Sequence, residues 1–249
     1  MITTNNNTEL NKTLFPVTSQ EVSNSNYLAI KNDDEIISIM SNKYSLVPNK
    51  EVWEAIEIGL NSYNATLKEA KVFKNLRTHW TILLGEEHKI NIKVGDIVNT
   101  GIRIYNSYDG SKKLTITSYL ERLACINGMV IDDVSTEWDA RHLVGNIDME
   151  VFPKKIEEIA VKSNEYISNN IVKLGDVKVT EERLLEFVEI FPQKLQEQIL
   201  AQATNSDNFY DLLNAGTYVM SHIADREIES NIRLERELMR KTISMAGIS

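Results

Sequence analysis

The sequence predicts an α+β fold: an antiparallel four-stranded sheet with a helix packed on it, followed by a helical C-terminal half. Three observations lead there. Apolar residues between Val72 and Thr117 recur with a period of two, the spacing of half-buried strands. The Asp109-Gly110 pair inside that region is a hairpin signal, because both residues tolerate positive φ. From Pro153 onward the apolar spacing becomes helical.

Taken in order, residues 1–25 are rich in Asn, Thr and Ser and read as a flexible N-terminal tail. Tyr44 to Val47 is strand-like, and Pro48 ends it, since proline has no N–H for a sheet ladder. Asn49 is placed to cap a helix starting near Lys50, with Val52, Trp53, Ile56 and Leu60 on its apolar face. In the sheet region Val72, Leu76, Trp80, Ile82 and Leu84 share one parity, and Arg77, His79 and Thr81 the other. Ile90, Ile92 and Val94 alternate with Lys89, Asn91 and Lys93; Ile102 and Ile104 with Arg103 and Tyr105; Leu114 and Ile116 with Lys113, Thr115 and Thr117. One sheet face is therefore apolar, and the other turns Arg77, Lys89, Lys93, Arg103, Tyr105 and Lys113 to solvent.

Ser118, with Glu121 three residues on, has the form of a capping box. It predicts a short helix through Leu120, Leu123 and Ile126, stopped by Asn127-Gly128 and lying across the apolar face. Further helices are predicted near 154–170, after Thr180, after Asp207 and over 225–242, with Pro192 dividing the second. The expected organisation is a tail over 1–25, an α+β sheet domain over 26–150 and a helical region over 151–249 packing on it.

Several function classes are disfavoured. No apolar run approaches the roughly 18 residues of a membrane span, and the N-terminus lacks the basic and apolar regions of a secretory signal. The single cysteine, Cys125, excludes an internal disulfide and suits a cytoplasmic protein. Among Leu123, Ala124 and Ile126 it reads as a buried, unreactive thiol. There is no P-loop, no Gly-x-Gly-x-x-Gly and no Gly-x-Ser-x-Gly elbow. His79, His88, His142 and His222 are not paired at i, i+4, and Asp132-Asp133 and Asp148-x-Glu150 are incomplete as magnesium sites. The expectation is a protein that is not an enzyme and holds neither metal nor cofactor.

Charge is uneven. Between Lys68 and Arg122 stand ten basic and six acidic residues, a balance of +4 that leaves −13 for the rest of a chain whose total is −9. Such asymmetry fits either a nucleic-acid face or a solvated sheet face.

Three stretches resemble a phage- and plasmid-associated family known only as domain of unknown function 932. They are Tyr44-Ser45-Leu46-Val47-Pro48-Asn49; Asn106-Ser107-Tyr108-Asp109-Gly110-Ser111 followed by Arg122-Leu123-Ala124-Cys125-Ile126-Asn127-Gly128-Met129; and Asn214-Ala215-Gly216-Thr217 with His222. Gly216 and Ser221 depart from the pattern, which has a larger apolar residue and an acid there. The resemblance implies a mobile-element origin and hands over no activity. Within these stretches Arg122 is placed to pair with an acid or meet a phosphate, and Asn214, Thr217 and His222 to share a buried hydrogen-bond network.

The predicted order of strand, hairpin, strand and covering helix is similar to the core of ring-forming single-strand annealing proteins. The functional expectation is a phage- or plasmid-type single-stranded DNA binding or annealing protein, cofactor-independent and homo-oligomeric. It would hold the strand on Arg77, Lys89, Lys93, Arg103 and Lys113, with Tyr105 stacking on a base. The alternative is a counter-defence interaction protein that binds a host protein, which the −13 balance suits.

Overall fold

The computed structural model describes residues 2–4, 7–73, 76–93, 96–122, 127–130, 136–222 and 228–248. Cys125, Leu123, Ile126 and the Asp132-Asp133 pair lie outside them. The strands are β1 (Thr3–Thr4), β2 (Thr18–Glu21), β3 (Tyr27–Asn32), β4 (Glu35–Ser41), β5 (Thr66–Val72), β6 (Thr78–Leu83), β7 (Ile90–Lys93), β8 (Asp96–Asn106), β9 (Leu114–Arg122), β10 (Asn127–Val130) and β11 (Glu137–Ala140). The helices are α1 (Asn7–Thr13), α2 (Asn49–Gly59), α3 (Phe152–Tyr166), α4 (Val172–Leu174), α5 (Glu181–Val188), α6 (Gln193–Ala203), α7 (Phe209–His222) and α8 (Ile228–Met245). One π-helical turn, Ile167–Ile171, joins α3 to α4. The α+β class is as predicted, with the helices concentrated in the C-terminal part.

The sheet is larger than predicted, and it is mixed. Among the described residues it has eight strands in the order β1-β5-β6-β8-β9-β10, with β7 on β8 and β11 on β9. β1 runs parallel to β5, whereas β5–β6, β7–β8, β9–β10 and β9–β11 are antiparallel. A separate antiparallel sheet, β2-β3-β4, was not predicted.

The chain divides into two units that differ from the expected split at residue 150. The first comprises Met1–Gly85, Ile102–Thr117 and Glu137–Ala160; the second comprises Glu86–Gly101, Ser118–Thr136 and Val161–Ser249.

In the first unit Trp80, Ile82, Ile102, Ile104, Leu114 and Ile116 are buried on one sheet face, as the alternation requires. They pack with Val52, Trp53 and Ile56 of α2 and with Phe152, Ile156 and Ile159 from the start of α3. These two helices do the covering that the sequence reading gave to a helix after Ser118. Leu76 is not on that face: it sits at φ +55° before β6 and packs in the cluster of Ile30, Tyr44 and Tyr108. Gly59 ends α2 where a Cβ would come within 2.6 Å of the Pro153 carbonyl oxygen, so only glycine allows this approach.

The N-terminal segment is not a tail. Ile2 and Leu10 are buried in the first unit's core, and the Trp80 indole N–H donates to the Thr13 hydroxyl at 2.9 Å. Composition alone missed this, because a few well-placed apolar residues suffice to dock a short segment.

Asn49 does not cap α2 with its side chain. It is fully buried: Nδ2 donates to the Thr13 carbonyl (2.6 Å) and to the Thr78 hydroxyl (2.9 Å), and Oδ1 accepts from Asn106 Nδ2 (2.8 Å). Its backbone N–H donates to the Tyr108 hydroxyl at 2.7 Å, and the Tyr44 hydroxyl donates to the Ser107 carbonyl at 3.1 Å. Residues 44–49 and 106–108 are thus one bonded cluster.

In the second unit α5 to α8 enclose Phe187, Phe191, Ile199, Phe209, Leu212, Val219 and Leu238, joined by Val98 and Leu120. Thr180 caps α5 as predicted, accepting from the Arg183 N–H at 3.3 Å, and Pro192 directly precedes α6. Asn208, rather than Asp207, accepts the Asp211 N–H at the start of α7. Ser118 to Arg122 continue β9 instead of opening the predicted helix, Asn127 and Gly128 lie in β10, and the residues between lie outside the described ones. Tyr119, Leu120 and Arg122 pair with Val130, Met129 and Asn127. Strand pairing outweighs the local capping signal, and the Ser118 hydroxyl donates to the Thr136 carbonyl instead. Gly216 has a packing reason: a Cβ there would lie 2.9 Å from Phe191 and 3.0 Å from Leu238.

Candidate functional site

The six residues predicted to form a basic face do not come together as one exposed surface. In the first unit Arg103 and Tyr105 do face away from Ile102 and Ile104, but both are half-buried. Arg103 Nε donates to the Thr81 hydroxyl at 2.8 Å, and the Tyr105 ring meets the His79 ring edge-on at 5.7 Å. Arg77 is half-buried before β6. Lys113 is exposed and bridged to Asp139 at 2.6 Å. Lys89 and Lys93 belong to the second unit, where Lys89 pairs with Glu86. The backbone of Lys93 lies in β7, and its side chain is outside the described residues. The polar face is real in β8 but half-buried, with Arg103 bonded to Thr81 and Tyr105 packed on His79.

At its centre His79, 1% exposed, bonds Glu69 at 2.8 Å. Burial would raise the Glu69 carboxyl, but hydrogen bonds from His79 and Lys71 outweigh it and hold the group at about 2. Burial pushes the His79 imidazole down, against the opposing bond from Glu69. Both folded pKa values lie below the ordinary ones, so each group stabilises the fold above its unfolded value and withdraws that as pH falls. Stability is expected to decline from about pH 6.5, where unfolded His79 titrates, and again from 4.5 toward 2 through Glu69. Urea midpoints measured between pH 7 and 3 check this. Glu69→Gln should flatten the lower part, and midpoints that rise on acidification would contradict it.

Among the described residues each unit carries a cleft. In the first unit a cleft of about 450 Å³ is lined by Met40, Ser41, Tyr44, Gly110, Ser111, Lys112, Lys113, Arg141, His142 and Leu143. The Asp109-Gly110 turn forms one wall. Gly110 takes φ +68°, and Asp109 Oδ1 accepts the Ser111 N–H at 3.0 Å. The opposite wall follows β11, where His142 is buried and stacked on Tyr44 at 5.5 Å. Burial keeps the His142 imidazole below its ordinary value, so it is a neutral wall at neutral pH. Lys112 and Arg141 are exposed and carry no ion pair among the described residues. Sequence reasoning found Lys113 here and missed Lys112, Arg141, His142 and Tyr44. Lys112 stood beside Lys113 after the turn; nothing local marked Arg141.

The second unit's cleft, about 490 Å³, is lined by Arg122, Gln202, Asn205, Ser206, Asp211, Asn214, Ala215 and Tyr218. Arg122 is on β9, not on a helix, and its partner is an acid: Nε lies 2.8 and 3.0 Å from the two Asp96 oxygens and Nη2 2.7 Å from Oδ2. The guanidinium also lies over the buried Tyr210 ring at 5.9 Å. Burial and the Asp96 charge raise the Tyr210 phenol, opposed by Arg122 and Asn214. The predicted buried network of Asn214, Thr217 and His222 does not form. Thr217 donates to the Asn214 carbonyl within the helix, and exposed His222 stacks on Tyr218 at 4.7 Å.

Asp148 Oδ1 accepts the Glu150 N–H at 2.9 Å in a turn before α3. Among the described residues no group of three or more His, Cys, Asp or Glu could hold a metal, and no helix is long and apolar enough to cross a membrane. Comparison with curated proteins and with solved structures returned no match. Residues 36–233 match the model of a family described as a domain of unknown function, DUF932, and the chain belongs to that family.

Proposed function

We propose that the protein binds single-stranded DNA through its phosphate backbone, without a cofactor, at the basic cleft of the first unit. One observation carries the reading: Lys112, Lys113 and Arg141 converge around the Asp109-Gly110 turn beside the hydroxyls of Ser41 and Ser111. Cations and hydroxyls on a concave wall suit phosphate oxygens, and a groove that tracks the backbone is tolerant of sequence. The face of Arg103 and Tyr105 is set aside as the contact surface, because both are half-buried, one bonded to Thr81 and the other packed on His79.

If Lys112, Lys113 and Arg141 each neutralise one phosphate, log affinity falls against log salt with a slope of about −2. Lys112→Ala with Arg141→Ala should reduce the slope to about −0.7 and weaken binding at low salt at least tenfold. Both side chains are exposed, so the fold should be unaffected. Fluorescence anisotropy of a labelled oligonucleotide over a salt series reads both quantities. Undetectable binding at low salt, or an unchanged slope in the double variant, excludes this site.

A further inference from the structure

The small sheet β2-β3-β4 leaves one face open among the described residues. Its inner face is ordinary: Ile30 is buried with Tyr44 and Tyr108, and Leu28, Ile37 and Met40 pack on the same cluster. An antiparallel sheet that covers a core on one side is usually polar on the other. Here the other side carries Tyr27, Ile36 and Ile39, each more than half exposed. Val22, whose N–H donates to the Tyr27 carbonyl at 3.0 Å, is exposed beside them.

The register gathers these side chains. Tyr27 stands opposite Ser41, Ala29 opposite Ile39 and Lys31 opposite Ile36, and Tyr27, Ala29 and Lys31 alternate onto one face. Strict alternation would send Ile36 and Ile39 to opposite faces. The bulge between Ile30 and Lys31, where β4 holds Ile37 as the extra residue, turns both outward, while Ile37 packs inward.

The two ends of β4 differ in charge. Asp33, Asp34 and Glu35 are exposed at its start, where the Lys31 ammonium donates to Gln20. The far end runs into exposed Lys43, and Ser41 there borders the cleft that holds Lys112 and Arg141. Glu21 on β2 and Asp109 in the turn are acids on that side, so the far end is the more basic of the two without being free of acids.

We infer that this face packs on the same face of a second copy of the chain, with the strands of the two sheets antiparallel about a two-fold axis. A two-fold contact requires a patch that matches itself, and an apolar face with acid at one end and base at the other does so. The charges choose the direction. Antiparallel packing sets the acidic start of each β4 against the Lys43 end of the second copy, whereas parallel packing sets acid on acid. A face three strands wide and six residues long spans about 14 by 20 Å. That is small for an interface, so the dimer is weak and depends on concentration. The inference stands apart from the DNA reading, because it is tested without nucleic acid.

The experiment is sedimentation velocity on the full chain over a wide concentration series. The weight-average coefficient should climb from that of a monomer toward that of a dimer and no further. Ile39→Lys should weaken association at least tenfold, because its ammonium would be buried in the contact, and should leave the urea midpoint unchanged, because the position is exposed. Ile36→Lys serves the same purpose if the first variant fails to fold. Asp34→Lys should also weaken association, and adding Lys43→Asp to the same chain should restore it, since the exchanged charges meet again across the axis. A monomer at every concentration overturns the inference and leaves the face to a different protein. Assembly beyond a dimer, full association in both folded lysine variants at Ile36 and Ile39, or no recovery in the exchanged variant also overturns it.

Discussion

Arg122→Ala is expected to destabilise the protein by about 3–5 kcal/mol, among the largest effects of any single substitution. The cause is what the change leaves behind. Asp96 is almost wholly buried, and the guanidinium bonds both of its oxygens. Without it a carboxylate remains in a low-dielectric site with its main partner gone, and that desolvation is the bulk of the cost. A double variant separates this from lost packing. Asp96→Leu with Arg122→Leu removes both charges and should recover most of the stability, since a buried ion pair contributes little net against an apolar pair of similar volume. Urea midpoints of the wild type, both single variants and the double variant close the cycle. A double variant no more stable than the singles would show that the residues act through shape.

Asn49→Ala is expected to cost about 3 kcal/mol, and Asn49→Asp more. Alanine strands the Thr13 carbonyl and removes one bond each from Thr78 and Asn106, and every buried group left unsatisfied costs about 1–3 kcal/mol. Aspartate nearly preserves the shape but sets a carboxylate oxygen against the Thr13 carbonyl, where an N–H now donates at 2.6 Å. It also places a charge at a site with no solvent exposure. Thermal or urea unfolding of the two variants gives the order. If aspartate proved the milder change, the side chain would not be oriented as described.

What the sequence made legible follows from how far each signal reaches. Ile102, Ile104, Leu114 and Ile116 were assigned to the buried face because alternation is a property of the strand itself. The Thr180 cap was readable for the same reason. Ser118 and Glu121 misled because the capping box is also local, whereas the strand pairing that overrides it depends on β10. Sheet β2-β3-β4 escaped because its strands leave Tyr27, Ile36 and Ile39 exposed, so their parity carried little contrast, although the Asp33 turn signal was present. The basic cleft was half visible: Lys113 lies in the alternating region, but only the pairing of β11 with β9 brings Arg141 near it.

The two units interleave along the chain: the sequence passes from one to the other after Gly85, Gly101, Thr117, Thr136 and Ala160. This has a genetic consequence. A recombination breakpoint anywhere between codons 101 and 137 delivers pieces of both units to each product and the whole of neither. Such a gene cannot donate one half as a module in the way that genes with serially arranged domains do. The family match, residues 36–233, spans all five crossings.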